Sequence, residues 1–197
     1  MKQLFLSAIC AAAMFMADAQ QLKTPAPSTT QTIKQEFGLG SIELSYSRPN
    51  MKGRKIFGDL VPYGKVWRTG ANAATTLTFS DEVMIGGVKI PAGKYGLLSI
   101  PGEAEWTLII TKQLDVTSPA AYKQENDVVR VQVKPLAMTM SRETFTMQIA
   151  NITDNGCEIH LMWDRTAVAL PVSTDVDSKV MKQIESIMKT DSRPYFN

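Results

Sequence analysis

Cysteine is nearly absent from this chain: of 197 residues only Cys10 and Cys157 carry a thiol, and His160 is the one histidine. A disulfide framework needs an even set of cysteines in the folded part, and a histidine-rich metal site needs more than one imidazole, so neither is expected. No sign of charge dominates either. Twenty-one Lys and Arg stand against nineteen Asp and Glu, a formal net charge of +2, which gives no general electrostatic reason for nucleic acid or an anionic membrane as partner. Past residue 19 no stretch approaches the roughly 18 unbroken apolar residues of a spanning helix, so no transmembrane segment is expected. There is no Gly-x-Ser-x-Gly elbow, no phosphate loop and no His-Glu-x-x-His. No cofactor and no metal are therefore expected.

The one apolar run is at the start. Lys2 supplies a charged beginning, Leu4 to Met16 an apolar stretch broken only by Ser7, and Ala17-Asp18-Ala19 a small-x-small cleavage site. Residues 1–19 read as a secretory signal peptide cleaved after Ala19, which places the protein in the periplasm or outside the cell. Lipid attachment at Cys10 fits less well, because Ile9 is bulky where that processing wants a small residue and the apolar run continues beyond Cys10. The remainder is long enough for one domain with its own core. Residues 20–30, with Pro25, Pro27 and several polar residues, read as a flexible lead-in.

From residue 31 the dominant period is two. Ile42, Leu44 and Tyr46 alternate with polar neighbours, as do Leu77 and Phe79, then Phe145, Met147 and Ile149, then Cys157, Ile159, Leu161 and Trp163. Such alternation marks antiparallel strands with one buried face. Val128–Val133 and Trp106–Ile110 read as further strands, the latter apolar on both faces. Gly86-Gly87 and Asn155-Gly156 read as hairpin turns, Gly38-Leu39-Gly40 as a β-turn, and Met138 and Met140 as flanking a turn. Nine or ten short strands with turn signals at 8–12-residue spacing predict an all-β antiparallel sandwich, jelly-roll-like or Greek-key, over residues 31–172. Residues 173–197 then hold a C-terminal helix and tail. Val176, Val180, Ile184 and Met188 recur every fourth residue, predicting an amphipathic helix over 175–190 with Thr174 and Asp177 as a capping box. Such a helix either packs on an open face or sheet edge or serves as a docking element.

One segment is unlike ordinary strand and turn. It runs Ser47-Arg48-Pro49, Lys52-Gly53-Arg54-Lys55-Ile56-Phe57-Gly58, then Leu60 through Asn72, including Trp67-Arg68-Thr69-Gly70-Ala71-Asn72. With Ala74-Thr75-Thr76, Ile90-Pro91-Ala92-Gly93-Lys94-Tyr95, Ile100-Pro101-Gly102 and Trp106, this pattern resembles the domain-of-unknown-function family 2911 of exported bacterial proteins. The resemblance covers roughly residues 30–172 and implies a β-rich extracytoplasmic domain without an agreed activity. Members often continue past the position of Arg193-Pro194-Tyr195 with more helix.

The same segment is the candidate site. Arg48, Arg54 and Arg68 offer donors for an anion or hydroxyls, Tyr63 and Trp67 offer stacking surfaces, and Asn72 hydrogen-bonds both ways. A long connection on a rigid β scaffold is a common way to build a binding site. The competing reading is structural: the connection covers a core end, and its arginines cap carbonyls or pair with Asp59 or Glu43. His160 sits on the wet face of its strand, opposite Cys157 in parity, with Glu158 as a neighbour about 7 Å along. Cys157 is expected to be a buried, inert core thiol. Two functions follow. One is a non-catalytic binding module for a small or saccharide-like ligand. The other is a hydrolase of carbohydrate or another envelope polymer, using carboxylates drawn from Glu43, Asp59, Glu103, Glu105, Glu125, Asp127 and Asp164. Two carboxyl groups facing each other across a cleft favour the hydrolase, and a groove of arginine and aromatics without them favours the binder.

Overall fold

The alternating segments form ten antiparallel strands in a computed structural model of the protein, which describes residues 24–190. The leader read over 1–19, Cys10 and the Arg193-Pro194-Tyr195 tail lie outside the described residues. In chain order the strands are β1 (Thr29–Phe37), β2 (Gly40–Arg48), β3 (Thr75–Phe79), β4 (Val83–Ile85) and β5 (Val88–Ile90). They continue as β6 (Gly93–Ile100), β7 (Trp106–Thr111), β8 (Asp127–Val133), β9 (Leu136–Ala150) and β10 (Gly156–Ser173). One sheet has the order β1-β2-β3-β6-β7-β8 and the other β5-β4-β10-β9. The chain thus runs as a meander in the larger sheet, leaves it for the β4–β5 hairpin, returns, and finishes in the smaller sheet. This is an all-β antiparallel sandwich.

The inward residues of both sheets make one core. Leu44, Leu77, Leu97 and Leu108 come from the larger sheet and Ile85, Phe145, Leu161 and Trp163 from the smaller, all of them buried. Tyr46 fastens the layers together. Its ring meets Phe145 edge-on at 5.8 Å, while its hydroxyl donates to Gln31 Oε1 at 2.8 Å and accepts from the Met147 amide at 2.8 Å. A second, smaller core lies on the outer face of the larger sheet, where Leu98 and Ile109 pack with Ala74 and Val116. Apolar residues on both faces of β7 are needed because the connections before β3 and before β8 fold over it.

Several local expectations are corrected. β1 starts at Thr29, inside the expected lead-in, and pairs along its whole length with β2, from Thr29 opposite Arg48 to Phe37 opposite Gly40. β9 and β10 are long, at 15 and 18 residues, and Met138 and Met140 lie within β9 rather than beside a turn. Gly86-Gly87 does form the β4–β5 turn, with φ of 58° and 78°. Asn155-Gly156 does not centre a two-residue turn. The left-handed residue there is Asn151 (φ 51°), and Gly156 already opens β10. Asn155 instead accepts the Thr174 amide on its carbonyl at 2.9 Å and the Val176 amide on Oδ1 at 3.0 Å.

That contact starts the helix α1 (Val176–Thr190). Its cap is Asp175, whose Oδ1 accepts from the Ser178 amide at 3.0 Å, and not the Thr174–Asp177 box. Lys179 ties the first turn to the loop before β4, donating to Asp81 Oδ2 at 2.7 Å and Glu82 O at 2.9 Å. The Lys179 hydrogen bond holds the Asp81 carboxyl below its usual range. Past that turn the helix leaves the sandwich, and Ile187 and Met188 are 66% and 71% exposed. Among the described residues its apolar stripe beyond Val176 is not packed on a sheet face or edge.

Cys157 is buried beside Ile159 and Leu161, on the inward face of β10. Burial, with a smaller contribution from the Glu158 charge, pushes its thiol up to about 11. A thiol reagent at neutral pH is expected to modify Cys157 at a rate set by opening of the domain, orders of magnitude slower than in denaturant. Equal rates with and without denaturant, read on the Cys157 peptide by mass spectrometry, would contradict its burial.

Candidate functional site

The connection from Pro49 to Ala74 is laid down in three steps. First it runs along β9, with the Phe145 amide donating to Pro49 O at 2.9 Å and the Met51 amide to Glu143 O at 2.8 Å. Ile56 and Val61 then turn inward to the core, closed by the Val61 amide on Ile56 O at 2.9 Å. Finally Trp67 lies beside β6 just beyond the first residue of β3, exchanging two backbone hydrogen bonds with Ser99 at 2.7 and 2.9 Å.

After Trp67 the chain makes a tight reversal before β3. Thr69 (φ 56°) and Asn72 (φ 59°) both adopt the left-handed region, and a β-branched residue there is strained. Thr69 is held in place because its hydroxyl lies 3.0 Å from Ser99 Oγ and its carbonyl accepts the Thr75 hydroxyl. Between them Gly70 (φ 146°) runs so close to β2 that an added Cβ would sit 2.9 Å from Ser47 O. Gly70→Ala is therefore expected to destabilise the domain by about 1–3 kcal/mol, through both backbone strain and a clash with main chain. A denaturation midpoint equal to the wild type would show that the reversal can relax.

This reversal and the segments around it enclose a cavity of about 500 Å³. The lead-in contributes Pro27 and Ser28, the connection before β8 contributes Val116, Ser118 and Pro119, and β10 contributes Trp163. Trp67 and Trp163 line it together, their rings stacked 5.9 Å apart at 17°. Four cations share it: Lys52, Arg54, Lys65 and Arg68. No Asp, Glu or His is among the lining residues, and none of the four is in an ion pair among the described residues. Arg54 is fixed by backbone, with Nε donating to Met51 O at 2.8 Å and Nη2 to Asn50 O at 2.7 Å. Arg68 Nη1 donates to Thr117 O, while its Nε is buried with no hydrogen-bond partner.

Of the six residues read as site candidates, Arg54, Trp67 and Arg68 line this cavity. The other three do other work. Arg48 joins β2 to β9, donating from Nε to Phe145 O at 3.3 Å and from Nη2 to Thr146 Oγ1 at 3.2 Å. Tyr63 covers Gly58, whose added Cβ would lie 2.8 Å from Tyr63 Cε2, and sits outside the lining. Asn72 Nδ2 donates to Ser28 O at 3.2 Å and lies 3.3 Å from Ser47 Oγ, so it pins the lead-in that forms one wall. The arginines do cap carbonyls, as the structural reading holds, but neither Asp59 nor Glu43 pairs with them among the described residues. Sequence reasoning left out Lys52, Lys65 and Trp163. The two lysines were open to counting, since they interleave with the aromatics of the same segment, whereas nothing local marks Trp163 or Val116–Pro119.

Elsewhere, His160 Nε2 lies 2.7 Å from Glu158 Oε2, which also accepts from Asn151 Nδ2 at 2.7 Å. The His160 hydrogen bond, then that of Asn151, holds the Glu158 carboxyl below its usual range. The pair is half-buried on the outward face of β10, with Cys157 facing the core. Among the described residues no group of three or more His, Cys, Asp or Glu is placed to hold a metal.

A family model described as Protein of unknown function (DUF2911) matches residues 28–172, from the wall of the cavity to one residue short of the end of β10. No curated protein and no solved structure matches the chain.

Proposed function

The chain belongs to the DUF2911 family, and from that premise, which carries no activity, we propose that it is an exported, non-catalytic binding module for a small anionic ligand. One observation carries the reading: four cationic side chains, none of them ion-paired among the described residues, share a cavity whose described lining has two stacked tryptophans and no carboxylate. Four positive charges around one cavity raise the local potential, which favours an anion there. About 500 Å³ lies within the usual range for small-molecule sites. The hydrolase reading draws no such support, because two carboxyl groups facing one another at roughly 5–10 Å are what glycoside hydrolysis needs. Tryptophan fluorescence is the natural reporter of occupancy. An anion that binds here is expected to perturb emission saturably and to bind more weakly as salt rises from about 0.05 to 0.5 M, since part of the attraction is screened. A salt-independent affinity would contradict the ionic basis of the site. The export component is read from the leader alone. It requires a mature N-terminus at Gln20, and an intact mass retaining Met1 would remove it.

A further inference from the structure

Resting on the anion-binding reading above, the geometry points to a small amphipathic anion, a carboxylate or phosphate head on an apolar body, as the ligand class, in preference to a sugar. The walls supply the first argument. Pro27, Pro49, Pro62, Pro119, Leu60 and Val66 present no side-chain hydrogen-bonding group at all, and four of these six are rings held rigid by their own backbone. A body that matches them is apolar and gains by leaving water.

The second argument is the imbalance of donors and acceptors. Sugar hydroxyls donate as well as accept, and sites that read them place Asp, Glu, Asn or Gln oxygens opposite the donors. Here the lining offers a single side-chain amide, Asn50, and its Oδ1 already accepts from Thr144 Oγ1 at 2.6 Å. The Asn50 carbonyl is taken as well, by Arg54 Nη2. Among the lining side chains, what remains apart from the hydroxyls of Ser28 and Ser118 is donors: two ammonium groups and the N–H groups of two guanidiniums that backbone carbonyls leave over. Donors in that excess suit a group that only accepts, which is an ionised carboxylate or phosphate. Cations and apolar walls share one cavity, so head and body are read together.

The test uses the mature protein and four probes below their micelle concentrations: octanoate, octyl phosphate, octyl glucoside and glucuronate. Titration calorimetry with tryptophan emission reads affinity. Octanoate or octyl phosphate is expected to bind at least about tenfold more tightly than both the neutral amphiphile and the anionic sugar. The ratio between those two probes tells which head is preferred. Lys52→Gln/Lys65→Gln, at exposed positions, is expected to weaken the tighter probe about tenfold while the melting temperature stays put. Glucuronate binding more tightly than either amphiphilic anion would overturn the amphipathic assignment and leave the anion site standing. Octyl glucoside matching the anions, or an affinity indifferent to the double substitution, would overturn the anionic head. Failure of all four probes to bind would overturn the class and the binding reading together.

Discussion

Trp67→Ala is expected to cost the domain about 3–5 kcal/mol, the range for deleting a packed tryptophan, and to lower its melting temperature by roughly 6–20 °C for a domain of this size. Trp67 is only half-buried, yet its ring meets three aromatics in or against the core. It stacks on Trp163 at 5.9 Å and meets Phe145 at 5.1 Å and Phe57 at 6.2 Å edge-on. Its indole Nε1 also donates to Gly70 O at 3.0 Å, which holds the strained reversal at Thr69 in place. Truncation removes the stack and the clamp together. Trp67→Phe separates them, because it keeps most of the ring packing and loses the donor. It should retain more than half of the stability that Trp67→Ala forfeits. A melting curve for Trp67→Ala that overlays the wild type would show that the aromatic cluster does not brace this end of the sandwich.

The parts of this fold that sequence reveals are those whose two faces differ in chemistry. β2 alternates Ile42, Leu44 and Tyr46 inward with Glu43 and Ser45 outward, and its burial follows the same alternation. β1 is the counterexample. Its sequence is almost uniformly polar, with Ile33 and Phe37 the only large apolar residues, and as an edge strand it is held mainly by its ladder to β2. A strand stabilised by backbone pairing leaves little trace in hydrophobic period. The same reason hides the first half of β9, where Leu136 and Met140 are 64% and 78% exposed. At the helix, Thr174 and Asp175 are both good caps by type. The backbone chose Asp175 because Thr174 is already engaged with Glu82 and Lys179.

The site was legible to the extent that one segment supplies it. Arg54, Trp67 and Arg68 lie in the Pro49–Ala74 connection, where cations interleaved with aromatics stand out from ordinary turn sequence. Arg48 and Asn72 lie in the same stretch and look the same by residue type. Their direction is decided by partners far away in sequence, Phe145 and Thr146 for one and Ser28 and Ser47 for the other. Trp163 enters the cavity because it faces the core from β10 at the end where Trp67 closes over it. That is a tertiary fact with no local signature.

Arg68→Ala separates the fold from the site, since the two make different demands on that side chain. Among the described residues the Arg68 side chain makes one hydrogen bond, from Nη1 to the carbonyl of Thr117, an exposed residue whose oxygen water can reach once the arginine is gone. Losing a bond of that kind costs about 1 kcal/mol, and removing the buried, unpartnered Nε offsets part of it. Stability is therefore expected to change by no more than about 1 kcal/mol, a shift of a few degrees at most. In the site Arg68 is the cation fixed closest in sequence to Trp67, and a guanidinium placed beside an apolar wall binds an acceptor-only head better than a solvated lysine does. Octanoate affinity is expected to fall about ten- to a hundredfold, or roughly 1.4–2.7 kcal/mol. Arg68→Lys should fall between, because it keeps the charge and loses the planar fork. Melting and titration on the same preparations read both quantities at once. A large loss of stability with unchanged affinity would make Arg68 a strut of the connection before β8 and take the cavity's anion away from it.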